Sequence, residues 1–318
     1  MQILLSVLVL LPAFSQGVPQ HAQSPGPPAP PAHAASPTPT PAGTVVSGES
    51  VTSDAQTLAA EGDGHFAKRS VGAIDNVADK HEIDQAIALY RKATAADPRD
   101  CVILAKLMRA LHFRGAYTGL AVEAKKAVFE EGKDLGQAAI DRLEAQAKTA
   151  KGLSRVEFLR LTKGTPALYL WTAGHWGEWG LVRGKFAAAR SGVASRLRDL
   201  SQTVIDLDPS FEGAAGYRLL GRLHAEAPKI IFFTNWVSKE KGLLYLRRAY
   251  QSSPNHPVTW FFLAEAILDH EPAKRDEALQ LLDKCAHLTP RPDTVLEDTK
   301  YALLAKKRLD DERRVTTP

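Results

Sequence analysis

The sequence predicts an all-α protein, a solenoid of antiparallel helix hairpins with an aromatic-rich central helix and a C-terminal capping helix. Three observations predict it. Beyond residue 56 nearly every segment carries apolar side chains at helical spacing, and proline and glycine fall mainly between segments. A fixed order of small, large and small residues, closed by proline, recurs along the chain. One strip, "GTPALYLWTAGHWGEWG" at 164–180, holds Tyr169 and three of the five tryptophans and reads as a helix with two apolar faces. A helical domain of about 260 residues buries roughly 70–75% of its unfolded surface, so it needs no metal or disulfide staple.

The chain opens on "MQILLSVLVLLPAFSQG", an apolar run from Ile3 to Leu11 broken by Pro12 and followed by small residues. Residues 1–17 read as a signal peptide, although no Lys or Arg precedes the apolar run. A helix over these residues reaches about 18 Å, too short for a hydrocarbon core of roughly 30 Å. No later segment is apolar enough for a transmembrane helix, and no cysteine lies near the cleavage site for a lipid anchor. The reading is therefore a periplasmic or secreted protein. Residues 18–55 form a linker. Val18–Gly43 contains nine prolines and no charged side chain, and polar Ser/Thr-rich sequence follows. The helical domain takes 56–318. With 40 Lys and Arg against 36 Asp and Glu, and the basic residues scattered in groups such as Lys125-Lys126 and Arg247-Arg248, the charge reads as a solvated surface and excludes nucleic acid as the partner.

The repeat begins at "AIALYRKATAADP", with Ala86, Tyr90, Ala93 and Pro98 at steps of four, three and five. The same steps give Gly242, Leu246, Ala249 and Pro254, and then Ala278, Leu282, Cys285 and Pro290. "LRDLSQTVIDLDP" matches more weakly through Leu197, Ser201, Val204 and Pro209. Small residues let a second helix approach its neighbours, a larger one fills the gap, and proline stops the helix. First helices fall where each hit demands one. They are seen in Leu104, Leu107, Met108 and Leu111, in Tyr217, Leu220, Gly221 and His224, and in Trp260, Leu263, Ala264 and Ile267. This pattern resembles the tetratricopeptide repeat, which implies hairpins stacked into a superhelix. The stretch "DERR" near the C-terminus ends an amphipathic run from Thr294 that caps the last hydrophobic face.

The repeats are irregular in two places. The interval from His224 to Gly242 is about nine residues too long for a tetratricopeptide hairpin, and the aromatic strip replaces a standard hairpin between Leu161 and Leu197. The ordered segments "GDGHFAKR", "AIALYRKATAADP", "PALYLWTAGHWGEW", "LDPSFEGAAGYRLLGRLHAEAP" and "YLRRAYQSSPNH" resemble the T component of TRAP transporters, over about residues 57–310. That resemblance implies a non-enzymatic envelope protein that associates with a periplasmic solute-binding protein. It also implies a small apolar or carboxylated solute and leaves room for a homo-oligomer. Two features depart from it: the missing lipid-anchor cysteine, and the apolar "KIIFFTNWVSKEKG". A general envelope scaffold for other proteins is the alternative.

At about 100° per residue, Leu168, Trp171, His175, Trp179 and Val182 share one arc of the strip, while Tyr169, Ala173, Trp176 and Gly180 share another. One face packs on repeats; the other packs too, or lines a cavity. Tyr169, Trp171, His175, Trp176 and Trp179, with Trp236 of the "FFTNWVS" stretch, are therefore the candidates for ligand or partner contact. His175 and Glu178 form an i, i+3 pair of a kind common on surfaces. Signatures of enzymes are absent: no H-E-x-x-H, Walker loop, G-x-S-x-G, dinucleotide fingerprint or C-x-x-C occurs. The ten histidines are spread singly, so neither metal nor cofactor is predicted. Cys101 and Cys285 belong to distant repeats and read as buried free thiols.

Overall fold

The computed structural model describes residues 48–229 and 234–316. The predicted signal peptide, the predicted linker as far as residue 47, residues 230–233 of the long insertion and residues 317–318 lie outside the described residues. Thirteen α-helices and no strand occur among the described residues. Five hairpins follow one another: α1 (Gly48–Ala67) with α2 (His81–Ala96), α3 (Cys101–Tyr117) with α4 (Val122–Thr149), α6 (Thr165–Arg183) with α8 (Val193–Leu207), α9 (Phe211–Glu226) with α10 (Lys239–Ser252), and α11 (Pro257–His270) with α12 (Arg275–Ala286). The short helices α5 (Arg155–Leu161) and α7 (Lys185–Arg190) lie in connections, and α13 (Val295–Thr316) comes last. Each hairpin packs on the next, giving an all-α, tetratricopeptide-like solenoid. None of these helices is long and apolar enough to cross a membrane.

The repeated residues do what their sizes demand. Ala86, Ala93, Ala249, Ala278 and Leu282 are fully buried, and Tyr90 is nearly so. Pro98 and Pro254 follow the ends of α2 and α10 after one intervening residue, and Pro290 lies just beyond α12. Gly221 shows why a small residue is required. A Cβ there would sit 2.7 Å from Leu246 Cγ and 2.9 Å from the Leu246 backbone nitrogen, because α9 and α10 pack backbone to backbone. Local signals set the boundaries. Asp100 caps α3 by accepting from the Val102 and Ile103 backbone N–H groups (2.7 and 3.1 Å). Ser154 and Glu157 close a capping box on α5.

Two expectations are corrected by the packing. The aromatic strip does not replace a hairpin: it is the first helix of one, with α8 as the second and α7 inserted between them. It meets α4 across Gly132 and Gly136, where a Cβ would come within 2.2 Å of the His175 ring and of Thr172 Oγ1. Helix α13 caps α12, as the sequence requires, yet it also reaches the other end of the solenoid. Arg69, just after α1, donates to the Asp293 carbonyl oxygen and pairs with Glu297 (3.1 Å), both side chains almost solvent-free. Lys300 lies 5.2 Å from the Tyr117 ring of α3. The superhelix therefore turns tightly enough for its last helix to touch its first two hairpins. Cys101 and Cys285 are both buried and free.

Candidate functional site

Helix α6 is held between α3 and α4 on one side and α8 on the other. The Tyr169 hydroxyl donates to Glu144 Oε1 (2.6 Å), a carboxylate that Arg155 also grips. Trp171 packs on His112 with ring centroids 5.4 Å apart. His175 donates from Nε2 to the Met108 carbonyl oxygen (2.8 Å), and burial holds its pKa down to about 4. Trp176 and Trp179 meet edge to face at 5.6 Å, with the Lys133 ammonium 5.0 and 5.3 Å from their rings. These five candidates are thus brought together on one buried helix. Tyr169 is 1% exposed and Trp176 9%, so the interior beside them is filled by side chains. Trp236 stands apart, half-buried, edge-on to His224 at 5.3 Å with Arg198 over its face at 4.7 Å.

The pair His175 and Glu178 is not a surface arrangement. Both are buried, because the helix carrying them is enclosed on each side. Glu178 Oε1 lies 4.0 Å from His112 Nε2, beyond hydrogen-bond reach. Burial pushes the Glu178 carboxyl up to about 7, against the pull of Lys300 and Lys125. Burial likewise drives the His112 pKa well below the usual imidazole range.

The open site lies on the inner side of the superhelix, where the first helices converge around a cavity of about 800 Å³. Helices α1 and α3 supply Phe66, Lys106 and Arg109. The start of α6 supplies Pro166 and Ala167, with Trp171 one turn further in. The turn into α9 adds Asp208, Phe211 and Glu212, and Asp293 comes from the approach to α13. The walls are largely apolar with a few convergent charges, the ordinary make-up of a binding pocket of this size. Of the six candidate residues, Trp171 is the one that reaches this lining.

Charge is distributed unevenly around the cavity. Lys106 pairs with Asp63 (2.6 Å), and Asp63 also accepts from the Tyr90 hydroxyl (2.8 Å). Arg69 is committed to Glu297. Arg109 stacks on Phe66 at 4.8 Å and Trp171 at 6.0 Å. The α9 side is acidic. Asp208 accepts from Ser210 N and Oγ (2.9 and 2.7 Å), and Glu212 Oε2 is buried with no hydrogen-bond partner among the described residues. Glu212, Gly213 and Ala214 have φ of 48°, 61° and 63°, three successive left-handed residues inside α9. Arg218, fully buried, braces that turn by donating to the carbonyl oxygens of Glu212 (3.0 Å) and Gly213. No group of three metal-ligating side chains occurs among the described residues. The lining offers apolar contact, hydrogen-bond donors and acceptors and fixed charge.

Sequence reasoning missed Phe66, Arg69, Arg109, Glu212 and Glu297. One signal was available: Arg109 interrupts the apolar run "CVILAKLMRALHF" on the side shared by Ala105 and His112. A charge inside an apolar helix face is a buried or site-lining charge. Nothing local marks Glu212, whose placement depends on the left-handed turn.

No protein-family model and no curated protein matches the chain. Among solved structures, a thermophilic TPR protein of Thermus thermophilus is similar over 81% of this chain and 97% of that one, at 16% identity and a TM-score of 0.46. The TPR2AB domain of yeast Sti1, in a complex with pHSP90, is similar over 80% of this chain and 99% of that one, at 15% identity and a TM-score of 0.25.

Proposed function

We propose that this protein is a non-enzymatic binding scaffold whose inner groove holds an extended segment of a partner protein. The observation that carries the reading is the cavity of about 800 Å³ at the convergence of α1, α3, α6 and α9, lined by apolar and charged side chains. Stacked hairpins fix these elements against one another, so the groove is formed before a partner arrives, which lowers the entropic cost of binding. Photo-crosslinking tests the proposal. A photoreactive residue at Ala105 or Ala167 is expected to capture polypeptide in the cell envelope, while one at the exposed outer Leu244 is not. Equal capture from both faces would count against the groove.

The T-component resemblance supplies a finer version of the same reading. Its most specific segments, "PALYLW" and "GYRLLGRLHAEAP", fall on α6 and α9, and Pro166, Ala167 and Trp171 of the first line the cavity. In this version the partner is a periplasmic solute-binding protein, and any solute occupies the groove instead of the packed aromatic strip. Co-purification of a solute-binding protein through the groove photoprobe supports it; envelope proteins of other kinds in that position leave the general scaffold.

A further inference from the structure

Most charges of the cavity are balanced within the fold. Lys106 pairs with Asp63, Arg69 with Glu297, and Glu212 faces Arg109 and Arg218. Asp208 accepts from Ser210 in its own turn. What the lining offers an occupant is apolar wall, in Val102, Pro166, Ala167 and Phe211, with the N–H donors of Lys106 and Arg109 beside it. A charged occupant would compete with the existing pairs, whereas an uncharged chain rich in carbonyl acceptors would not.

One end of the cavity is also where the chain enters the fold. Gln56 of α1 donates to Asp100, the N-cap of α3 (2.8 Å). Gly164, the N-cap of α6, lies so close to α3 that a Cβ there would sit 2.7 Å from the Val102 backbone nitrogen. Gly164 also lines the cavity together with Asp208 and Ser210, which lead into α9. These helix starts form a mouth, and α1 runs about two turns beyond Gln56 to its first residue, Gly48. Residues 1–47 therefore join the fold at the mouth. Among them, residues 18–43 hold nine of the chain's 20 prolines and no Asp, Glu, Lys or Arg. Proline favours the polyproline II form, whose carbonyl oxygens have no internal partner, and strands of this kind are recognised in grooves of apolar and aromatic side chains.

We propose that in the free protein the groove holds the chain's own proline-rich segment, with Pro37, Pro39 and Pro41 against the apolar wall and their carbonyl oxygens towards Lys106 and Arg109. A partner segment then enters by displacing it. This assignment rests on the groove reading and adds what the partner must replace. The length suits it. Phe66 lies 18 residues along α1 from Gly48, about 27 Å, which about nine residues span at about 3.1 Å each. With residues 44–47 taking the reversal, that span reaches from Gly43 back to Ala34 and carries all three prolines along the groove. A short tether gives an effective concentration of about 1 mM, so contacts too weak to hold a free peptide suffice.

The test uses the purified full chain with a photoreactive residue at Ala167. Mass spectrometry should find it joined to residues 34–43 of the same chain. Glu61 is exposed and stands about 200° around α1 from the lining residue Asp63, so a probe there is within the segment's reach and should not capture it. Equal capture at Glu61 and Ala167 would overturn the inference. So would crosslinks joining isotopically heavy to light chains, which would put another copy's segment in the groove. Pro37→Ser, Pro39→Ser and Pro41→Ser together loosen the segment and should cut capture about ten-fold. That variant should bind a fluorescent peptide, AASPTPTPAG, about ten-fold more tightly by anisotropy than the native chain does, because its own segment no longer competes. Equal affinities would overturn the inference. The scaffold then still stands if Ala167 captures envelope polypeptide, and it falls separately if inner and outer probes capture that polypeptide alike.

Discussion

Helix α6 and the turn that opens α9 show opposite uses of conspicuous residues. The first holds three tryptophans and a tyrosine and gives almost none of them to solvent; the second holds one phenylalanine and one glutamate and lines the cavity. The difference follows from neighbours. Helix α6 is the middle first helix, with packed helices on both sides, so its large rings fill space between hairpins. The α9 turn faces inward at the point where the curved solenoid leaves room. Aromatic density here marks where helices pack on both sides, while the open space lies at the inner ends of the first helices.

Breaking this comparison begins with Trp176→Ala, the largest expected effect. Removing a buried ring should cost about 3–5 kcal/mol in urea unfolding, with the groove's peptide affinity unchanged in the folded fraction. Loss of peptide binding at full stability would show that the strip is itself a recognition surface. Next comes Arg69→Met, which strands Glu297 in the interior and should cost about 3 kcal/mol. The double variant with Glu297→Met should recover most of that loss. Small-angle scattering should show the single variant extending as its last helix parts from its first hairpin. A dimension unchanged by the substitution would deny Arg69 its closing role.

Smaller effects sharpen the same contrast. Gly132→Ala places a methyl against the His175 ring and should cost about 2 kcal/mol, read as a lowered denaturation midpoint. No loss would mean that α4 and α6 are less closely packed than their backbone approach indicates. The enclosure of α6 also sets a pH dependence at Glu178. Its folded pKa of about 7 lies above the ordinary carboxyl value, so the folded state holds the proton longer and stability falls as pH rises from about 4.5 to about 7. Glu178→Gln removes that loss. Its stability relative to the native chain should climb by up to about 3 kcal/mol across the window, at about 1.4 kcal/mol per pKa unit, and stay level above it. His175 acts with the opposite sign, since its imidazole is held at about 4 and stability falls as pH drops from the ordinary value towards that. A flat difference for the glutamine variant would place the Glu178 carboxyl in contact with water.

Much of the fold is legible in the chain because its signals are local. Ala86, Ala249 and Ala278 are small where second helices cross, Pro98 and Pro254 follow helix ends, and Trp260 is buried at a first-helix position. The two faces of the strip likewise implied a helix enclosed on both sides, and α6 is one. The site was less legible. His175 and Glu178 looked like a surface pair because spacing along a helix does not say whether another helix covers it. Arg69, Arg109, Glu212 and Glu297 were missed since a charged residue reads as solvated until its partners, distant in sequence, are known.

By itself the sequence determined the hairpins, their order and their small-residue crossings, all of which follow from spacing within about one turn of a helix. Only the tertiary structure decided how sharply the stack curves. That curvature brings Arg69 to Glu297 across 228 residues of chain and aligns the inner ends of four first helices around one cavity. It sums small rotations between packed hairpins, set by contacts such as Gly132 on His175 and Gly221 on Leu246. No single segment carries that sum.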